Sequence, residues 1–158
     1  MKHSSALVNY AAALMVLLLW PYRSIAALPT GDYTLLMSVR GHELTGLCML
    51  SADEGVGEDA VVGTVVNEFG VKAFDITFSG GKAKVKNVIA MMNRWYIRCV
   101  LNRDWSFIIR HLAERQPVVE GKREMQVTPE GDIVVTNRRF RISYTLTPMK
   151  QDVTPVTS

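Results

Sequence analysis

Residues 89–112, IAMMNRWYIRCVLNRDWSFIIRHL, decide the fold class, because the hydrophobic period changes there. Met91, Met92, Trp95, Tyr96, Cys99 and Val100 recur at three- and four-residue spacing, which is the apolar stripe of a helix over about Ile89 to Leu101. Asn102-Arg103-Asp104 interrupts the stripe, and Asp104 is a suitable N-cap. Trp105, Ile108, Ile109 and Leu112 then take positions i, i+3, i+4 and i+7, so a second short helix is expected. Pro117 closes the helical region.

Outward from this stretch the period is two. Tyr33, Leu35, Met37 and Val39 alternate with Thr34, Leu36, Ser38 and Arg40, the pattern of a half-buried strand. Glu43 to Leu50, Ala60 to Val66, Val71 to Phe78 and Lys82 to Val88 read as further strands. Gly41-His42, Asn67-Glu68-Phe69-Gly70 and Ser79-Gly80-Gly81 supply the turns, and the acidic stretch 51–59 is a longer link. After the helices, Val118 to Thr128 is one strand. Asp132 to Leu146 is a long strand or a hairpin bent at Asn137. Strands, a central helical pair and strands again make an α+β fold with an antiparallel sheet. About seven strands with two central helices on one face would form a strongly curved, incomplete antiparallel β-barrel.

The chain has 158 residues, 48% hydrophobic and 21% charged, which gives one folded domain and excludes global disorder. Residues 1–26 read as a secretory signal peptide, with Lys2 before the apolar run Leu7 to Trp20 and small residues at Ser24 and Ala26. The uninterrupted core of that run, Ala11 to Trp20, is short of the ~20 residues that span a bilayer. Cleavage after Ala26 would leave a domain over 27–147 and a polar tail over 148–158, soluble and periplasmic. Lys2 and Arg23 would leave with the signal, so 18 basic residues fall to 16 against 15 acidic ones. So small an excess provides no broad phosphate-binding field, and nucleic acid is not expected as a partner.

Chemistry is sparse. There is no Gly-x-Ser-x-Gly, His-Glu-x-x-His, Gly-x-x-x-x-Gly-Lys or Cys-x-x-Cys motif. His42 and His111 are isolated, so no metal, cofactor or catalytic residue is expected. Asp53, Glu54, Glu58 and Asp59 crowd one loop without the EF-hand spacing and read as solvated turn acids. Cys48 and Cys99 are the only cysteines. Export would permit a disulfide between them; two buried thiols packing as small hydrophobes is the other reading. Arg94, Arg98, Arg103, Arg110 and Arg115 accompany the helices. Such an arginine face beside an apolar stripe suits a lipid headgroup or an anionic membrane surface, or is an ordinary solvated face.

The signal-like start, the strand-rich halves and the central helices resemble the lipoprotein-localisation carrier and receptor proteins of the bacterial periplasm. The stretch Val65 to Asp75 (VVNEFGVKAFD) is similar to the hairpin between the third and fourth strands of the receptor branch. The resemblance implies an incomplete barrel whose cavity holds acyl chains, with no catalytic residue. It also implies that Phe69 is a protruding residue that enters the membrane. No cysteine follows the apolar run to carry the receptor's lipid, and Arg40 is the candidate for the carrier's latch arginine. The expected function is therefore non-catalytic binding or transfer of lipid or lipoprotein acyl chains. Phe74, Ile76, Phe78, Met91, Met92, Trp95, Trp105 and Ile109 would wall the cavity. Phe69, Arg94, Arg98 and Arg110 would touch a membrane or a partner. The alternative is an envelope protein–protein interaction module with a filled core and no ligand.

Overall fold

A computed structural model describes residues 28–150, so the stretch 1–26 read as a signal peptide and the part of the expected tail beyond Lys150 lie outside the described residues. The strands are β1 (Gly31–Val39), β2 (His42–Ala52), β3 (Val61–Asn67), β4 (Lys72–Ser79) and β5 (Lys82–Lys86). A 3-10 turn (Ala90–Met92) and one helix, α1 (Trp95–Leu112), follow. Then come β6 (Val118–Glu120), β7 (Arg123–Val127), β8 (Ile133–Asn137) and β9 (Ile142–Pro148). All nine strands form one antiparallel sheet in the order β5-β4-β3-β2-β1-β9-β8-β7-β6. Two meanders are thus joined where β1 pairs with β9, from Tyr33↔Pro148 to Val39↔Ile142.

This corrects the expected count of about seven strands and two helices. Gly121, at φ +62°, turns the chain inside 118–128 and splits it into β6 and β7. The stretch 132–146 is the hairpin of β8 and β9. The helix is continuous through Asn102-Arg103-Asp104, so Asp104 is not an N-cap. The Asn102 and Asp104 side chains have partners on the sheet, not on their own helix end. Asn102 Oδ1 accepts the Val85 N–H at 2.7 Å, and Ser106 Oγ accepts the Ala83 N–H at 2.7 Å. The helix thereby occupies the open edge of β5, where backbone donors would otherwise be exposed. Near its other end, Arg110 and His111 reach Glu120 on β6 at 3.2 and 3.3 Å. The sheet is curved and open, and α1 lies between its two edge strands as a closing stave.

Curvature has a local cause. Gly46 on β2 lies where an added Cβ would meet the Val66 carbonyl oxygen at 1.9 Å, so β2 and β3 approach there as only glycine allows. The register of β3 against β4 shifts at Val65/Val66, a bulge that bends the strand further. The concave face is filled. Trp105 is fully buried, with Phe74 at 6.0 Å and Tyr144 at 6.1 Å, both edge-on. Its indole N–H has no partner among the described residues.

Asp104 projects into this apolar interior. Its Oδ1 accepts hydrogen bonds from Arg123 Nε and Asn137 Nδ2, both at 2.7 Å, and its Oδ2 accepts one from Tyr144 OH at 2.9 Å. One helix carboxylate therefore fastens β7, β8 and β9. Burial and the neighbouring carboxylate push the Tyr144 hydroxyl well above its ordinary pKa, so it stays a donor. Removing one partner of a buried charged pair costs about 3–5 kcal/mol. Asp104→Ala is expected to lose about that much in urea unfolding, whereas the exposed neighbour Arg103→Ala should change stability by less than about 0.5 kcal/mol. Equal effects of the two would contradict the fastening role.

Candidate functional site

The eight expected cavity residues do not line one space. Phe74, Ile76, Phe78, Trp105 and Ile109 are buried in the packed core, and Met92 is half-buried against it. Met91 and Trp95 stand outside, 78% and 74% exposed. A surface cleft of about 670 Å³ opens at the far end of the sheet, among Tyr33, Leu50, Ser51, Arg115, Pro148 and Met149. None of the eight borders it.

Strand alternation sorts the connections onto two rims. The first carries the turns after β1, β3, β6 and β8, and the segment that leaves β5 for α1. The helix descends from this rim toward β6. Its first six residues, 95–100, include no fully buried side chain: Ile97 and Val100 lean on the core, while Trp95, Tyr96, Arg98 and Cys99 face outward. Trp95 and Tyr96 are exposed there and pack edge-to-face at 6.0 Å. Phe69, 81% exposed, and Val71 occupy the β3–β4 turn on the same rim.

Both apolar segments are firmly held. Asn67 Oδ1 accepts the N–H groups of Phe69 at 3.1 Å and Val71 at 2.9 Å, while Gly70 takes the left-handed position at φ +74°. Phe69 is therefore presented by a closed turn. Asn87 Nδ2 donates to Asp75 Oδ2 at 2.6 Å, and the Ile89 N–H donates to the Ala73 carbonyl at 2.8 Å. Ala73 lies two residues past Val71, so the segment carrying Met91 runs beside the Phe69 turn. Arg94, Arg98, Lys72 and Lys86 are exposed around this apolar group, with the Glu68 carboxylate in the same turn as Phe69 and Lys72 paired with Asp75 at 3.1 Å. The opposite rim is acidic, with Asp32, Asp53, Glu54, Glu58, Asp59, Glu114 and Glu130 exposed or half-exposed. The carboxylates of 53–59 lie in the β2–β3 loop, and no group of three or more metal-ligating side chains occurs among the described residues.

Arg110 does not join Arg94 and Arg98. It lies toward the other helix end, paired with Glu120. Burial tends to raise the Glu120 carboxyl, but hydrogen bonds from His111 and Arg110 outweigh it and hold the group low. Arg40 is exposed in the β1–β2 turn. Cys48 and Cys99 are free thiols: Cys48 faces the core from β2, and Cys99 faces outward on α1. Burial pushes the Cys48 thiol up to about 12. In the native protein an aqueous disulfide reagent is expected to label Cys99 rapidly and Cys48 only on unfolding. Mass spectrometry showing both labelled at one rate would contradict this placement.

Asp75 anchors the apolar rim. Burial tends to raise its carboxyl, but hydrogen bonds from Asn87, Thr64 and Lys72 outweigh that and lower it. The folded state thus keeps Asp75 ionised to lower pH than the unfolded chain does. Its stabilisation is complete above about pH 4, the unfolded aspartate range, and is lost as pH falls through the lower folded value. Asp75→Asn is expected to flatten the loss of stability between about pH 5 and pH 3. An acid limb as steep as that of the wild type, measured by urea unfolding, would contradict the anchoring role.

Compared with protein-family models, curated proteins and solved structures, the chain matches none. The resemblance to the lipoprotein-localisation proteins gains no support from those comparisons. No helix among the described residues is long and apolar enough to cross a membrane.

Proposed function

We propose that this chain is a non-catalytic lipid-binding module that docks on a membrane surface through the rim carrying Phe69, Met91, Trp95 and Tyr96. The observation that supports the reading is the placement of these exposed side chains on one rim of the sheet, with Arg94 and Arg98 exposed on the same helix start. Tryptophan and tyrosine favour the membrane–water interface, where an apolar ring meets a polar edge. Each large apolar side chain taken out of water contributes about 1.5–3 kcal/mol before ordering costs, so three or four suffice for reversible attachment. Lipid acyl chains would be met at the rim, because packed side chains fill the interior. Residues 1–26, read as an export signal, would place that membrane in the cell envelope.

The test is co-sedimentation with phospholipid vesicles while tryptophan emission is followed. The wild type is expected to bind with a blue shift that Trp95→Phe abolishes. A combined Phe69→Asp and Met91→Asp variant should bind at least about tenfold more weakly with an unchanged unfolding midpoint. Binding of that variant at wild-type strength, or no wild-type binding, would contradict the reading. In the latter case, a protein cross-linked to the rim in envelope fractions would move it to the protein-interaction alternative.

A further inference from the structure

The rim has a second half. The β8–β9 turn is Arg138-Arg139-Phe140-Arg141, the β1–β2 turn begins with Arg40, and the β6–β7 turn contains Lys122. Sequence distance separates them, but the pairing of β9 with β1 and of β8 with β7 brings them together. The Arg40 N–H donates to the Arg141 carbonyl at 3.4 Å, and the Arg138 N–H donates to the Lys122 carbonyl at 2.9 Å. The three turns are thus one surface, and all five basic residues are exposed on it.

Three acids border these charges: Glu124 pairs with Arg138, Glu120 at the end of β6 pairs with Arg110 and His111, and Glu43 is exposed at the start of β2. Arg40, Lys122, Arg139 and Arg141 make no ion pair among the described residues. The surface is also preorganised. Asn137 Oδ1 accepts the N–H groups of Arg139 at 3.2 Å and Phe140 at 3.4 Å, while its amide donates to the buried Asp104. The Arg139 guanidinium lies 5.3 Å from the centre of the Phe140 ring. Arg40 and Arg141 hold left-handed backbone positions, φ 51° and 55°, that glycine fills more readily.

We infer that Arg40, Arg139 and Arg141, with Lys122, form a binding site for the phosphate-bearing headgroups of anionic phospholipids. The inference rests on the membrane-docking reading and deepens it by naming the lipid class. Guanidinium groups suit phosphate because they offer paired, directed N–H donors. The other half of the rim exposes aliphatic Val71 and Met91 as well as rings. Those side chains suit a bilayer and offer nothing to stacked bases. The turns encircle one end of the sheet and present a face, not a groove that would track a nucleic acid strand. The acidic opposite rim would be repelled by an anionic bilayer, which orients the molecule.

The test uses the full chain with vesicles of phosphatidylcholine, alone or mixed with phosphatidylglycerol. The wild type is expected to prefer the mixed vesicles, and the preference should shrink at high salt. An Arg40→Gln, Arg139→Gln, Arg141→Gln variant is expected to lose on the order of 100-fold in binding to the mixed vesicles and little on phosphatidylcholine. The corresponding Arg→Lys variant should restore part of the loss through its charge but not the bidentate share, a graded result that a folding defect would not give. An unchanged preference in the glutamine variant overturns the inference while leaving the docking rim intact. Monomeric short-chain phosphatidylglycerol, followed by NMR at the arginine side chains, separates the two claims. Perturbation at Arg139 and Arg141 without vesicle binding keeps the headgroup site and removes the docking reading. No perturbation there overturns the site. Equal binding of a single-stranded oligonucleotide through the same arginines overturns the assignment to lipid.

Discussion

The Asp104 carboxylate is the interaction on which the rest of the structure depends. It leaves the middle of the helix, enters an apolar interior and receives donors from β7, β8 and β9. A buried carboxylate is costly unless paired, so the helix has one register in which this charge is satisfied. With the register fixed, Asn102 and Ser106 face the β5 edge, and Trp105 fills the space between Phe74 and Tyr144. Trp95, ten residues before Trp105, then stands about 15 Å nearer the helix start and is exposed. Asn137 carries the same constraint to the other half of the rim. Its amide is bound to Asp104, and its carbonyl oxygen shapes the arginine turn. One buried charge thus positions both the aromatic and the basic side chains.

The sheet also manages its edges through this arrangement. An open nine-stranded sheet has two unpaired edges, each a template for association with other chains. The β5 edge is short, its outward side chains are lysines, and its donors are taken up by helix side chains. The β6 edge is three residues long and is tied to the helix through Glu120. Of the large apolar side chains exposed among the described residues, Phe69, Val71, Met91, Trp95 and Tyr96 stand at one rim, while Leu47, Met49, Val56, Val119 and Met149 are dispersed over the rest of the surface. Apolar side chains gathered at that one rim, beside cations and opposite an acidic end, constitute a directional surface. Scattered singly, they would be ordinary.

Much of this was legible in the residues. Alternation placed β1 to β5, and the glycine-containing turns between them were readable because their chemistry is local. The Asn67…Gly70 spacing indicated a tight turn with Phe69 at its tip, where the residue is exposed. The errors have a common origin. Asn102 and Asp104 resemble a helix break because such residues favour local backbone partners; here their partners lie on β5, β7, β8 and β9, far away in sequence. Two strands were merged at Gly121 because the flanking segments are too short for alternation to register. The cavity set split because the apolar stripe does not turn inward along all of α1: Trp105 lies within the core, and Trp95 at the helix start faces outward. The arginine surface was half legible: Arg138, Arg139 and Arg141 stand together in the sequence, but Arg40 and Lys122 join them only when β9 pairs with β1 and β8 with β7.

Hydrogen–deuterium exchange of the full chain, with and without anionic vesicles, tests the central claim most directly, because it reports on both rims in one experiment. The account expects new protection confined to the turns at 40–42, 67–71, 121–122 and 138–141 and to the helix start at 87–98. The opposite loops at 53–60, 80–81 and 128–131 should exchange at unchanged rates. Protection at those opposite loops, or an unchanged pattern throughout with vesicles shown to be bound, would contradict it.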